Sequence, residues 1–219
     1  MGAAQPKQSY QPKEDIIDRM LHRKDKSYVN MALVLINVAV FILMEVNGGS
    51  SNPQLQISWG AAYTPLIAAG ETWRLFTCMF LHSGLRHLLS NMLLLFFMGD
   101  YVERYMGRSR YLLLYLGGGT LASWFSYQIE LAQGEEILSV GASGAIFAVM
   151  AAMLVLVLIH RGKLEDLTLP RVALMIGLSL WVGFQTEGVD AMAHLGGFLG
   201  GCLLSLILLL PEVFHRGTR

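Results

Sequence analysis

Charge is nearly absent from long stretches of this chain and is crowded into the short runs between them. That distribution constrains the fold more than any motif does. An apolar run of about 20 residues spans a bilayer as a helix, whereas a small soluble domain has too little core to bury several of them. Charged residues make up only 15% of the 219 positions and apolar ones 54%; ordinary soluble domains carry about 25% charged residues. The apolar runs place six spans at about 28–46, 87–106, 110–127, 141–160, 168–184 and 191–210. The expected fold is an all-α membrane protein. Residues 1–27 form an N-terminal tail, 28–210 a six-span core and 211–219 a C-terminal tail.

Residues 47–86 make a long first loop. It starts rich in Gly, Pro and Ser, then turns amphipathic through Leu66, Ile67, Trp73, Leu75, Phe76, Phe80 and Leu81, as expected of a loop lying in the membrane interface. The run Met31–Met44 has the length of a signal-peptide core, but no small-x-small cleavage site follows at Glu45-Val46-Asn47, so it reads as a retained span. Fourteen Lys and Arg fall in the two tails, in the loops after spans 2 and 4 and at the span ends adjoining those loops, and only Arg74 and Arg86 fall on the other side. Basic residues stay inside, so both termini are expected in the cytoplasm of a protein in the cell membrane. The 16 basic and 16 acidic residues cancel, which leaves no basic surface for nucleic acid. Cys78 and Cys202 lie in unrelated segments, form neither a disulfide framework nor a zinc pattern, and read as free thiols.

Spans 2, 4 and 6 run in one direction, and His87, Asn91, Ser143 and His194 fall near their outer ends. Polar side chains inside a span are costly and face the bundle interior or a wet cavity. Four of them at similar depth on three helices is the convergence a site needs. Ser143, in Gly141-Ala142-Ser143-Gly144-Ala145, has a competing reading as a packing residue, since Gly144 and Ala148 already form a small-xxx-small face. Its place at the start of a helix favours chemistry, because free backbone N–H groups and the positive dipole end stand beside it. A lone intramembrane His usually links helices. Around His194, however, Ala193, Gly197 and Gly201 repeat at i+4, as do Gly196 and Gly200, which lets span 6 approach the small residues of span 4 closely. Close backbones bring an imidazole within about 3 Å of a hydroxyl, as proton transfer requires. His87 and Asn91, four apart, share a helix face and can both donate to an oxyanion. His82 reads as structural, and no HExxH or thiol pattern supports a zinc site from His82, His87 and His194.

Trp73-Arg74, His82, His87-Leu88-Leu89-Ser90-Asn91, Gly141-Ala142-Ser143-Gly144 and Ala193-His194-Leu195-Gly196-Gly197, in this order and spacing, resemble the rhomboid family of intramembrane serine proteases. The resemblance runs from about Thr72 to Gly201 and implies a six-span rhomboid-like bundle. It implies that Ser143 is the nucleophile and His194 its base, a dyad, with His87 and Asn91 joining the Ser143 N–H as oxyanion donors. It further implies a structural role for Glu103, an aromatic contact of Phe147 with His194, and a loop role for Trp73-Arg74. Asp190, one turn before His194, reads as a cap of span 6 rather than a third catalytic member. The implied substrates are transmembrane proteins in the lipid bilayer, cut in or near their spans, and the chemistry needs no cofactor and no metal. Two rivals fit less well. A transporter would show an internal repeat, and none is found; a non-catalytic relative would lack Ser143 or His194, and both are present.

Overall fold

The structure, a computed structural model, describes residues 26–216. All but the last two residues of the expected N-terminal tail lie outside them. Helix α1 spans Tyr28–Val46. The first loop holds three short helices, α2 (Pro53–Trp59), α3 (Thr64–Ala68) and α4 (Arg74–Thr77), together with strand β1 (Ala62–Tyr63) and a 3₁₀ turn at Cys78–Phe80. Then follow α5 (Leu85–Met106), α6 (Arg108–Gln133), β2 (Leu138–Ser139) and α7 (Ser143–Ile159). The hairpin β3 (Lys163–Leu164) with β4 (Leu167–Thr168) leads to α8 (Leu169–Gln185) and α9 (Ala191–Arg216). The fold is mostly helical, with six helices of 17 residues or more among the described residues.

Each long helix overlaps one expected span, with informative differences at the ends. Helix α7 begins at Ser143, not 141, because Gly141 sits at φ +133°, a conformation glycine adopts freely and other residues rarely. Helix α6 runs to Gln133, past 127, and ends where Gly134 takes the left-handed conformation. Helix α9 continues past 210 to Arg216. By length and hydropathy together, α1 and the Ala191–Leu209 part of α9 suffice to cross a membrane. Helices α7 and α8 are apolar but shorter, and α5 and α6 carry Asp100, Glu103, Arg104, Arg108, Arg110 and Glu130.

Helix α7 is the core. From Gly144 to Val157 nearly every side chain is buried, as expected of a helix that is apolar all round. Glycine lets its neighbours reach its backbone. A Cβ added at Gly197 of α9 would strike the Gly144 carbonyl, one at Gly201 would strike the Ala148 backbone, and one at Gly118 of α6 would strike the Ala148 Cβ. The other α9 stripe, Gly196 and Gly200, faces Phe125 and Leu121 of α6. The two glycine stripes thus serve two different partners. Outside this core, Leu35, Ile36, Leu43, Leu174, Leu178, Trp181, Leu203 and Leu206 are exposed, giving the bundle an apolar exterior.

Polar anchors close both ends. At one end the Glu103 carboxylate accepts the N–H groups of Val29 (3.1 Å) and Asn30 (2.6 Å), which start α1 and have no helical acceptor. Tyr111 donates to the Asn30 side chain at 2.7 Å, and Arg104 joins Asp100 (3.1 Å) to Glu165 (3.0 Å) in the β3–β4 hairpin. At the other end Arg74 donates to the carbonyls of Ile57 (2.7 Å) and Ala61 (3.1 Å) and pairs with Glu71, tying the first loop together. Trp73, half exposed, lies under the Arg74 guanidinium at 4.6 Å.

Candidate active site

The segment before Ser143 is held by the first loop. Strand β2 pairs antiparallel with β1, Ala62 opposite Ser139. Gly141 donates its N–H to the Cys78 carbonyl at 3.0 Å, and the Ala142 N–H makes a longer 3.5 Å contact with His82 Nε2. His82 is fully buried, and that burial, with His87 adding to it, pushes its pKa down to about 3. Its ring is therefore neutral and able to accept. The first rung of α7 is Ile146 N–H to the Ala142 carbonyl at 2.9 Å, so the N–H groups of Ser143, Gly144 and Ala145 precede the helical ladder.

Ser143 stands between two cavities. The outer one, about 560 Å³, is lined by His87, Ser90, Ser139, Glu187 and Asp190 with Ser143. The lateral one, about 360 Å³, is mostly apolar and is lined by Asn91, Ser143, Phe147 and His194 together with Val182 and Gly183 of α8. Ser143, Asn91 and His194 thus share one cavity, while His87 faces the outer one that Ser143 also lines. The His87 ring packs over Gly141, where a Cβ would meet it at 2.8 Å and the Asn91 amide nitrogen at 3.5 Å.

His194 is held by packing. Its ring stacks on Phe147 at 4.5 Å and 27°, and its Nδ1 rests against Gly183, where a Cβ would come within 2.7 Å. Neither its Nδ1 nor the Asn91 amide nitrogen has a hydrogen-bond partner among the described residues, although both are buried. Buried polar atoms are usually paired, and these two unpaired ones line the same cavity as Ser143. Asp190 is not a partner of the imidazole. It caps α9 by accepting the Ala193 N–H at 2.8 Å, and it accepts from Ser126 (2.6 Å) and Ser139 (2.8 Å).

Sequence reasoning passed over Ser126, Glu130, Ser139 and Gly183. Ser126 and Glu130 carried one usable signal, an i,i+4 polar pair in the last turns of an apolar helix. Both cysteines are free.

The rhomboid domain model matches residues 69–211. The chain is 36% identical over 186 residues to the rhomboid protease GluP of Bacillus subtilis, covering 85% of this chain and 36% of that protein. It is 40% identical over 164 residues to RHOMBOID-like protein 5 of Arabidopsis thaliana, covering 74% of this chain and 52% of that protein. It is 34% identical over 141 residues to the putative rhomboid protease YdcA of Bacillus subtilis, covering 64% and 69%. The chain spans about a third to a half of the length of the first two relatives. A mostly helical membrane protein with this site arrangement and these relatives belongs to the rhomboid family.

Proposed function

We propose that this chain is an intramembrane serine endopeptidase that hydrolyses peptide bonds in or near the transmembrane segments of other membrane proteins. The observation that carries the reading is the lateral cavity, lined by Ser143 at the start of α7, by His194 and by Asn91. Relatives named as rhomboid proteases support the same class. Ser143 Oγ attacks the scissile carbonyl carbon while His194 takes its proton. The oxyanion forms where the Ser143 N–H, the Asn91 amide and the His87 imidazole can donate to it. Collapse returns the proton from His194 to the leaving amine, and a water molecule repeats the sequence on the acyl-serine. This chemistry requires neither metal nor cofactor.

In this reading the six long helices carry the six spans of the cell membrane, with α6 and α9 running on past theirs and both termini cytoplasmic, as the basic residues direct. Residues 47–86 lie in the outer interface with Trp73 toward lipid, and the outer cavity admits the water that hydrolysis consumes. A serine-directed phosphonate probe tests the assignment on the full chain in detergent. The native protein should be labelled and should cleave a transmembrane substrate, and Ser143→Ala should do neither. Undiminished cleavage by folded Ser143→Ala would end the assignment, and activity lost to a chelator and restored by zinc would replace it with metal chemistry.

A further inference from the structure

Behind the wall of the outer cavity that Asp190 lines, two carboxylates meet at one hydroxyl. Ser126 Oγ lies 2.6 Å from Asp190 Oδ1 and 3.0 Å from Glu130 Oε1. All three residues belong to the outer end of the bundle, and Glu130 stands three residues beyond 127, where the third span ends by sequence. Ser126 and Glu130 are buried. Thr64 Oγ1 donates to Glu130 Oε2 at 2.6 Å, and Ser139 Oγ to Asp190 Oδ2 at 2.8 Å.

A hydroxyl carries one proton, so Ser126 can donate to only one of the two carboxyl groups. The other contact would set lone pair against lone pair unless that carboxyl holds a proton of its own. Asp190 is the better anion. It already accepts the Ser139 hydroxyl and the Ala193 N–H, and it sits at the N-terminus of α9, where the helix dipole favours negative charge. Glu130 is the neutral partner. The charged groups that face it are Asp190 from the start of α9 and Glu135 from the segment after α6, both acidic; Thr64 and Ser126 complete its surroundings. Burial pushes its carboxyl above the ordinary range, the Thr64 and Ser126 hydrogen bonds pull against that, and the Asp190 and Glu135 charges add to it, for a net rise.

We infer that Glu130, Ser126 and Asp190 form a proton-sharing chain, Glu130 O–H to Ser126 Oγ and Ser126 O–H to Asp190, that positions the start of α9 and with it His194. Asp190 holds His194 closely: the His194 N–H donates to the Asp190 carbonyl at 3.2 Å, one residue after the Ala193 N–H that its carboxylate caps. Glu130, Ser126 and Asp190 are positioning residues, and this role rests on the reading of His194 as the base. The chain holds only while Glu130 keeps its proton. A carboxyl whose folded pKa is raised contributes stability that is fully present below its unfolded pKa and is lost as pH rises through the folded one. Rising pH therefore loosens the start of α9 as Glu130 loses its proton.

The test compares the native chain, Glu130→Gln, Ser126→Ala and Ser126→Thr in detergent. The glutamine amide can donate to Ser126 and accept from Thr64 at every pH, so it fixes the neutral state. Thermal unfolding from about pH 5 to about pH 9, above the free glutamate pKa of about 4.3, should fall with pH more steeply in the native protein than in Glu130→Gln. On a transmembrane substrate, Ser126→Ala should lose at least about tenfold in kcat with KM nearly unchanged, since a misplacement of about 1 Å can cost about a hundredfold. Ser126→Thr should recover most of that loss, and Glu130→Gln should stay within about threefold of native. Equal pH slopes in the native protein and Glu130→Gln would overturn the inference, as would Glu130→Gln being as impaired as Ser126→Ala. If Ser126→Ala does not fold, the slope comparison still decides. Because unfolding needs no substrate, it also separates this inference from the protease assignment, which stands or falls with Ser143→Ala.

Discussion

Replacing Gly197 with alanine should separate the two halves of the site while leaving every polar residue in place. The new Cβ would lie 2.9 Å from the Gly144 carbonyl carbon and 3.2 Å from its Cα, and closer still to the carbonyl oxygen. Carbon atoms rest at about 3.5–4.0 Å, so α9 and α7 must part by roughly 0.6 Å or more, and backbone cannot rotate out of the way as a side chain can. Gly144 follows Ser143 and Gly197 lies one turn beyond His194, so the displacement falls on the pair directly. We expect kcat to drop by about a hundredfold, the scale of a 1 Å misplacement, and stability to fall by about 1–3 kcal/mol, as for other overpacked contacts. Gly200→Ala is the matched control. It adds the same methyl to the same helix, with the same gain of about 1 kcal/mol in intrinsic helix propensity, but the three atoms nearest its Cβ are all in the Leu121 side chain, the first at 3.1 Å. Leu121 can yield, so that variant should stay within about threefold of native. Steady-state cleavage in proteoliposomes gives kcat and KM, and thermal unfolding in detergent gives the stability change. Native kcat in Gly197→Ala, or equal losses in both variants, would refute the claim that this contact sets the Ser143–His194 geometry.

Removing Asn91 should cost less than removing His194. An oxyanion donor is worth on the order of 10²–10³ in kcat, and His87 and the Ser143 N–H remain, so Asn91→Ala should keep measurable turnover and phosphonate labelling, whereas His194→Ala should show neither; equal loss in two folded variants would give Asn91 a more central role. Topology is checked by placing single cysteines, after Cys78 and Cys202 are replaced, at exposed Gly134 and at Gly162. Only Gly134→Cys should react with an impermeant thiol reagent from outside, and the reverse pattern would contradict the orientation drawn from the basic residues.

All six long apolar runs were readable as helices, but only the first had its ends where the sequence put them. Helix α1 is bracketed by Ser27 and Asn47-Gly48-Gly49 and has the expected bounds. Helix α6 was less legible at its end because Tyr127-Gln128-Ile129-Glu130-Leu131-Ala132-Gln133 is polar enough to end a span yet made of residues that continue a helix. The strand pairs could not be seen, since two residues each are too short for alternation to register. The i+4 glycine repeats of span 6 were legible as a close-packing surface. That Gly196 and Gly200 serve α6 while Gly197 and Gly201 serve α7 depends on the rotation of three helices, which no local pattern encodes. Of the site, the residues four apart on one helix were legible, but the links from Ser126 and Ser139 to Asp190 span 64 and 51 positions and depend on which loops meet.

The β1–β2 pair and the bond from Gly141 to Cys78 make the corner before Ser143 out of chain segments more than 60 residues apart, and His194 arrives only with the last helix. A chain entering the membrane from its N-terminus therefore carries Ser143 through insertion without its imidazole and, until the first loop has folded back, without its backbone geometry. On the proposed Ser143–His194 chemistry, competence comes as the final step of assembly, so half-made copies in the same bilayer as their prospective targets would stay inert, and misassembled ones would be silent rather than indiscriminate.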